Sequence, residues 1–174
     1  MRKVWAVLAM GGMLAVGAAA QRAAAAKPPA SELRMLDVSL GRWVFHGTSR
    51  SRTGKTGTWT WNENCVWSPN HIYLECTFSN VWSGRPAESL VVDTYNTVDH
   101  AFWHYEMFSA GGRGAKPFAA KMEVTPATWI EYGGPHERIT YHWGPAGHVK
   151  VAIEASKDGT HWTAVDQGTG TRVR

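Results

Sequence analysis

The stretch from Gly57 to Asn80 limits what this chain can fold into more than any other. Two alternating runs, Gly57-Thr58-Trp59-Thr60-Trp61-Asn62-Glu63-Asn64-Cys65-Val66-Trp67 and Ile72-Tyr73-Leu74-Glu75-Cys76-Thr77-Phe78, flank the turn cluster Ser68-Pro69-Asn70-His71. That pattern reads as a β-hairpin. Side chains alternate faces along a strand, so Trp59, Trp61, Cys65 and Trp67 share one face and the threonines and asparagines share the other. On the second arm Ile72, Leu74, Cys76 and Phe78 form the apolar face. Glu63 is the exception: a carboxylate of apolar parity, which marks a strand end, a bulge or a polar group inside a cavity.

The cysteines test that register. A loop at Asn70 and His71 places Cys65 opposite Cys76 and Trp67 opposite Leu74. Opposed Cβ atoms lie roughly 4.5–5.5 Å apart and a disulfide needs about 3.5–4.5 Å, so a small adjustment allows a Cys65–Cys76 bridge. The alternative is two free buried thiols.

The N-terminus favours the bridge. Met1-Arg2-Lys3 precedes an apolar run from Val4 to Gly17 and an alanine-rich stretch to Ala26. This is the pattern of a secretory signal peptide, short for a membrane span, with an uncleaved anchor as the alternative. No cysteine follows the run, which argues against a lipoprotein. Cleavage after Ala20 or Ala26 fits. The expected organisation is a signal peptide over 1–26, a linker and short helix over 27–40, and one β-domain over 41–174. Removing Arg2, Lys3 and Arg22 takes the formal charge from +4 to +1, so the basic character belongs largely to the leader. Nucleic-acid binding needs a clustered basic face, and Arg50, Arg52 and Lys55 sit in a Gly/Ser/Thr turn instead. Export, to the periplasm or beyond, is where disulfides persist. No stable membrane insertion is expected after cleavage.

Ser31 caps a short helix in which Leu33, Leu36 and Leu40 recur at helical spacing. From Gly41 the period switches to two. Strands are expected over Arg42–Arg50, the hairpin arms, Leu90–Tyr95, His100–Phe108, Phe118–Val124, Thr128–Tyr132, Glu137–Trp143, Val149–Ala155 and His161–Asp166, resuming near Thr171. The Gly-rich segment Ser109–Lys116 reads as a loop. Asp158-Gly159 reads as a two-residue hairpin turn that sets Ala155 opposite Trp162. So many short strands joined by turns mean a barrel or a sandwich. Closure removes exposed edges and favours an all-β antiparallel up-and-down barrel of about 8–10 strands.

Ser31-Glu32-Leu33 … Leu36 … Leu40-Gly41-Arg42-Trp43, followed by the Trp-bearing hairpin and the turn Tyr95-Asn96-Thr97-Val98-Asp99, resembles the opening of lipocalin-like barrels, and in particular a bacterial lipocalin-like family of unknown function. The resemblance implies a barrel with an interior cavity. It implies that Gly41 and Trp43 are structural, with Trp43 at the closed end under an arginine of the last strand, for which Arg172 is the candidate.

Nine of the chain's ten tryptophans follow Ala26. Ligand pockets are mostly apolar and aromatic, and the lining candidates are Trp59, Trp61, Trp103, Tyr105, Tyr141 and Trp143. A solidly filled barrel is the plainer use of these rings; a sugar-stacking platform on a β-sandwich is another. His100 and His104 share parity but lie about 13 Å apart along a strand, so no metal centre is expected; His46 and His142 belong to outer faces. Small barrels resembling this one include haem binders, which keeps haem as an alternative, but no feature singles out an axial histidine. No nucleophile elbow, zincin motif or phosphate loop occurs. Glu63, Asp93 and Glu106 are the acids that could act as acid or base if buried, with Glu63 the weak catalytic candidate for an isomerase or cyclase; for Asp93 and Glu106 a solvated outer face is the simpler reading. The expectation is a protein that binds a small hydrophobic or amphipathic molecule and needs no cofactor, with catalysis left open as the alternative.

Overall fold

The computed structural model describes residues 31–50, 54–82, 85–108 and 117–173. The expected signal peptide over 1–26, the expected loop over 109–116 and Arg52 of the basic turn lie outside the described residues. A 3₁₀ helix, Ser31–Ser39, leads into ten strands: β1 Gly41–Arg50, β2 Thr56–Trp67, β3 Leu74–Trp82, β4 Arg85–Asn96, β5 Ala101–Phe108, β6 Phe118–Val124, β7 Thr128–Gly134, β8 Glu137–Trp143, β9 His148–Ser156 and β10 Trp162–Val173. Each strand pairs antiparallel with its sequence neighbours, and β1 pairs with β10 to close the barrel. The sandwich reading, with its sugar platform, is thereby overturned. Eight strands make a lumen that side chains just fill, and diameter grows with strand number, so ten leave room inside.

The first helix is 3₁₀ because its buried residues recur every third position: Leu33, Leu36 and Ser39. It seals one end of the barrel. The Trp43 indole N–H donates to the Ser39 carbonyl (2.7 Å) and the Trp67 indole N–H to Asp37 Oδ1 (2.8 Å). Arg172, paired across the sheet with Trp43, lays its guanidinium 4.8 Å from the ring centroid and donates to the Val38 carbonyl. Gly41 turns the chain between helix and strand at φ +95°, a backbone glycine accepts without strain. Gly41, Trp43 and Arg172 thus meet at the end of the barrel that the helix covers.

The hairpin register stands as read: Cys65 faces Cys76, Trp67 faces Leu74, and the disulfide is formed with its Cα atoms 4.1 Å apart. Ile72 does not belong to the second arm; it lies exposed in the loop, and β3 begins at Leu74. The Asp158-Gly159 turn is longer than expected and shifts the register by one, so that Trp162 faces Ser156 and Thr163 faces Ala155. The cause is local. Ser156 Oγ accepts from the Gly159 N–H (2.8 Å), and Asp158 Oδ1 accepts from the N–H groups of Thr160 (2.9 Å) and His161 (2.8 Å), building a wider loop than Asp-Gly alone requires. Trp162 therefore lies outside, with the Arg138 guanidinium over its ring.

Candidate functional site

A cavity of about 500 Å³ occupies the barrel interior. Its upper wall is the pair Trp59 and Trp61, which share parity on β2 and stack with centroids 4.4 Å apart and planes 7° from parallel. The stack exists because the facing strands have no side chains there. A Cβ at Gly168 would stand 2.4 Å from Trp59 Cη2 and 2.5 Å from the His46 carbonyl oxygen; one at Gly47 would stand 2.1 Å from Trp59 Cζ2. Real Cβ atoms do not approach so closely, so these two glycines are what lets the Trp59 ring lie against the wall. Above, the cavity leads into a vestibule bordered by Arg50, Lys55, Glu137 and Asp166. Trp59, Val81, Glu137 and Ile153 line both spaces.

The lower part is polar. β5 sends His104 and Glu106 inward, β7 sends Glu131 and β8 sends Tyr141. His104 Nδ1 lies 2.9 Å from Asp93 Oδ1, its direct cross-strand neighbour on β4, and 4.0 Å from Glu131 Oε1, while Nε2 lies 3.8 Å from Glu106. Burial opposes protonation of this imidazole, but Glu131 and the hydrogen bonds to Asp93 and Glu106 outweigh it and hold its pKa at about 11. It is imidazolium at neutral pH, and Nδ1–H donates to Asp93. Glu131 is pushed up to about 7, mainly by burial and then by Asp93 and Glu106, with His104 pulling the other way. Burial and the neighbouring acids also raise the Tyr141 hydroxyl.

Glu63 sits apart from the cavity lining, buried on the inner face of β2. Its Oε1 is 2.8 Å from Cys65 Sγ. A disulfide sulfur has no proton to give, so the proton in that contact is the carboxyl's own. Burial first, then Glu131 and Asp93, keep Glu63 protonated well above the ordinary carboxylate range. Its Oε atom, Cys65 Sγ and Cys76 Sγ are close enough to hold an ion, but disulfide sulfurs are not thiolate ligands.

Of the six expected lining residues, Trp59, Trp61 and Tyr141 line the cavity. Trp143 does not: it packs edge-on against Trp43 (5.3 Å) and Trp129 (5.0 Å) in the filled part of the core. Trp103 and Tyr105 are on the outer face of β5, where Tyr105 is 42 % exposed and Lys121 reaches over Trp103. The outer face expected for Asp93 and Glu106 is likewise reversed. Both corrections have one cause. Each face of β5 is partly apolar, and the inward choice goes with Asp93, across the β4–β5 hairpin, and Glu131, two strands on in β7. Glu131, absent from the expected set, shares parity with Trp129 one turn of the pleat away; that parity was the available signal. His46 and His142 are exposed, bonded to Thr60 and Thr128 on outer faces, and His100 lies in the β4–β5 turn at φ 49°.

No protein-family model and no curated protein match this chain. Among solved structures its fold is similar to the crystal structure of Rv2717c from M. tuberculosis, with a TM-score of 0.55 and 12 % sequence identity over 83 % of this chain and 99 % of that one. At that identity the likeness speaks for the closed barrel alone.

Proposed function

We propose that this is an exported, lipocalin-like protein that binds a small amphipathic molecule inside its barrel. The observation that carries the reading is the cavity itself: about 500 Å³, with a stacked tryptophan pair on one side and a few convergent polar groups below. That volume, an aromatic wall and sparse polar anchors are the usual attributes of a small-molecule site. Export is supported by the leader pattern of residues 1–26 and by the Cys65–Cys76 disulfide, which is at home in an oxidising compartment. Titrating the purified protein with a panel of amphiphiles, read by tryptophan fluorescence, tests the binding reading. At least one member should quench saturably, and Trp61→Ala should weaken it about tenfold. A panel without any saturable change counts against it.

A second reading, catalysis on the bound molecule, is favoured by Glu131. A carboxyl with a pKa of about 7 that faces a cavity is poised to take and return protons at neutral pH. It predicts a turnover that Glu131→Gln abolishes while binding persists. The haem alternative predicts a Soret band on reconstitution. Its axial ligand would have to compete with the carboxylates already around His104, the inward histidine of β5.

A further inference from the structure

The charges around the cavity do not balance. Among the described residues that line it, Glu106, Glu131 and Glu137 are acids and His104 is the one base; no Lys or Arg contributes. The His104 proton on Nδ1 is already committed to Asp93 at 2.9 Å, so Glu131, 4.0 Å from the same nitrogen, shares a cation that has a nearer partner. A second observation is independent of the acids. Trp59 is 5 % exposed and lines the cavity, stacked on Trp61 at 4.4 Å. Aromatic faces attract cations, and elsewhere this protein supplies its own: Arg172 over Trp43, Arg138 over Trp162 and Lys121 over Trp103. The Trp59–Trp61 pair lines an inner cavity with acids below it and no Lys or Arg among its described lining residues; Arg50 and Lys55 border only the vestibule above.

We infer that the barrel takes an organic cation, an amphiphile whose ammonium-type head meets Glu131 and whose apolar body lies along Trp61 and Trp59. This rests on the reading of the cavity as a binding site and names the ligand class. A carboxylate ligand such as a fatty acid would add one more negative charge to a space that already has too few cations, at close range and away from water, where like charges repel strongly. A neutral ligand would leave Glu131 only its share of the His104 cation, whose Nδ1–H is already given to Asp93.

Three isosteric probes separate the alternatives: 4-phenylbutylammonium, 4-phenylbutanol and 4-phenylbutanoate, titrated calorimetrically into the full chain at pH 8. The ammonium should bind on the order of tenfold tighter than the alcohol, the scale of one charge-assisted hydrogen bond, and the carboxylate weakest. Equal binding of alcohol and ammonium, or tightest binding of the carboxylate, overturns the cationic ligand and leaves the binding site standing. Failure of all three overturns both. The unmodified protein offers a second measurement. Glu131 faces Glu63 from β2, Asp93 from β4, His104 and Glu106 from β5 and Tyr141 from β8, and it ionises as pH rises through about 7. Ammonium affinity should therefore rise several-fold from pH 6 to pH 8 while alcohol affinity stays level. Glu131→Gln should erase both the preference and its pH dependence; a variant that keeps the tenfold preference refutes the role given to Glu131.

Discussion

The two ends of the barrel use the same residue types to opposite effect. At the closed end the tryptophans meet edge to face, Trp43 on Trp143 at 70° and Trp129 on Trp143 at 64°, an arrangement that interdigitates rings and fills space. Toward the mouth Trp59 and Trp61 lie face on face at 7°, and that stack borders a void. The closed end brings its own cation, Arg172, to its aromatic ring. The cavity brings acids and leaves the cation to come from outside. Aromatic content alone therefore says little about function; ring orientation and the charge beside the ring separate a plug from a pocket.

The largest effect should come from removing the plug. Trp43 is 1 % exposed and tied by its indole to Ser39, so Trp43→Ala should cost about 3–5 kcal/mol, measured by urea unfolding. A loss under about 1 kcal/mol would mean that the closed end is not the mechanical centre of the barrel. Reducing the disulfide should cost about 3 kcal/mol, since its ends are 11 residues apart and chain entropy sets the scale for so short a loop. Gly168→Ala comes next. The new Cβ meets both the Trp59 ring and the His46 carbonyl, and overpacking of this kind costs about 1–3 kcal/mol. It should also displace Trp59 and weaken ligand binding, a combination that Trp43→Ala need not show.

The difference between the ends explains what could be read from sequence. The Cys65–Cys76 register was legible because alternation and turn lie within one hairpin, and the pairing Trp43–Arg172 because a recognisable Gly-x-Trp opening fixes its surroundings. The polar floor was not legible. His104, Asp93, Glu106 and Glu131 come from β4, β5 and β7, and each looks like an outer-face residue until its partners are known. A polar residue faces inward when others satisfy it; Asp93 is only 11 residues from His104, but no apolar alternation marks their shared face, and Glu131 lies two strands further on. Trp103 and Tyr105 were misplaced for the same reason, since a strand with two half-apolar faces takes its orientation from its neighbours.

That floor makes stability depend on pH with a definite sign. Glu131 rises from 4.5 to about 7 and His104 from 6.5 to about 11 on folding. Between those limits the folded chain holds more protons than the unfolded one, so stability must fall as pH rises. The His104 contribution is complete below 6.5 and is lost as pH climbs through about 11; the Glu131 penalty develops between 4.5 and about 7. Urea midpoints should decline from pH 5 through pH 7 to pH 9, and Glu131→Gln should flatten the first part of that decline. A midpoint that rises over pH 5 to 7 would mean that these groups are hydrated and that the cavity floor is open to water.

The smallest effect is expected on the outer face, and it is the most economical check on which tryptophans matter. Tyr105 is 42 % exposed, faces Val92 and Ala119 across the sheet, and stacks on Trp103 at 6.2 Å. Tyr105→Ala removes these cross-strand contacts, each worth less than about 1 kcal/mol, and touches nothing that lines the cavity. Its urea midpoint should therefore move slightly and its affinity for a cationic amphiphile not at all, whereas Trp61→Ala should lower that affinity with the fold intact. If Tyr105→Ala abolished binding and Trp61→Ala did not, the ligand would sit on the outer Trp103–Tyr105 strip of β5. The two regions would then exchange roles, with the interior as packing and the exterior as the site.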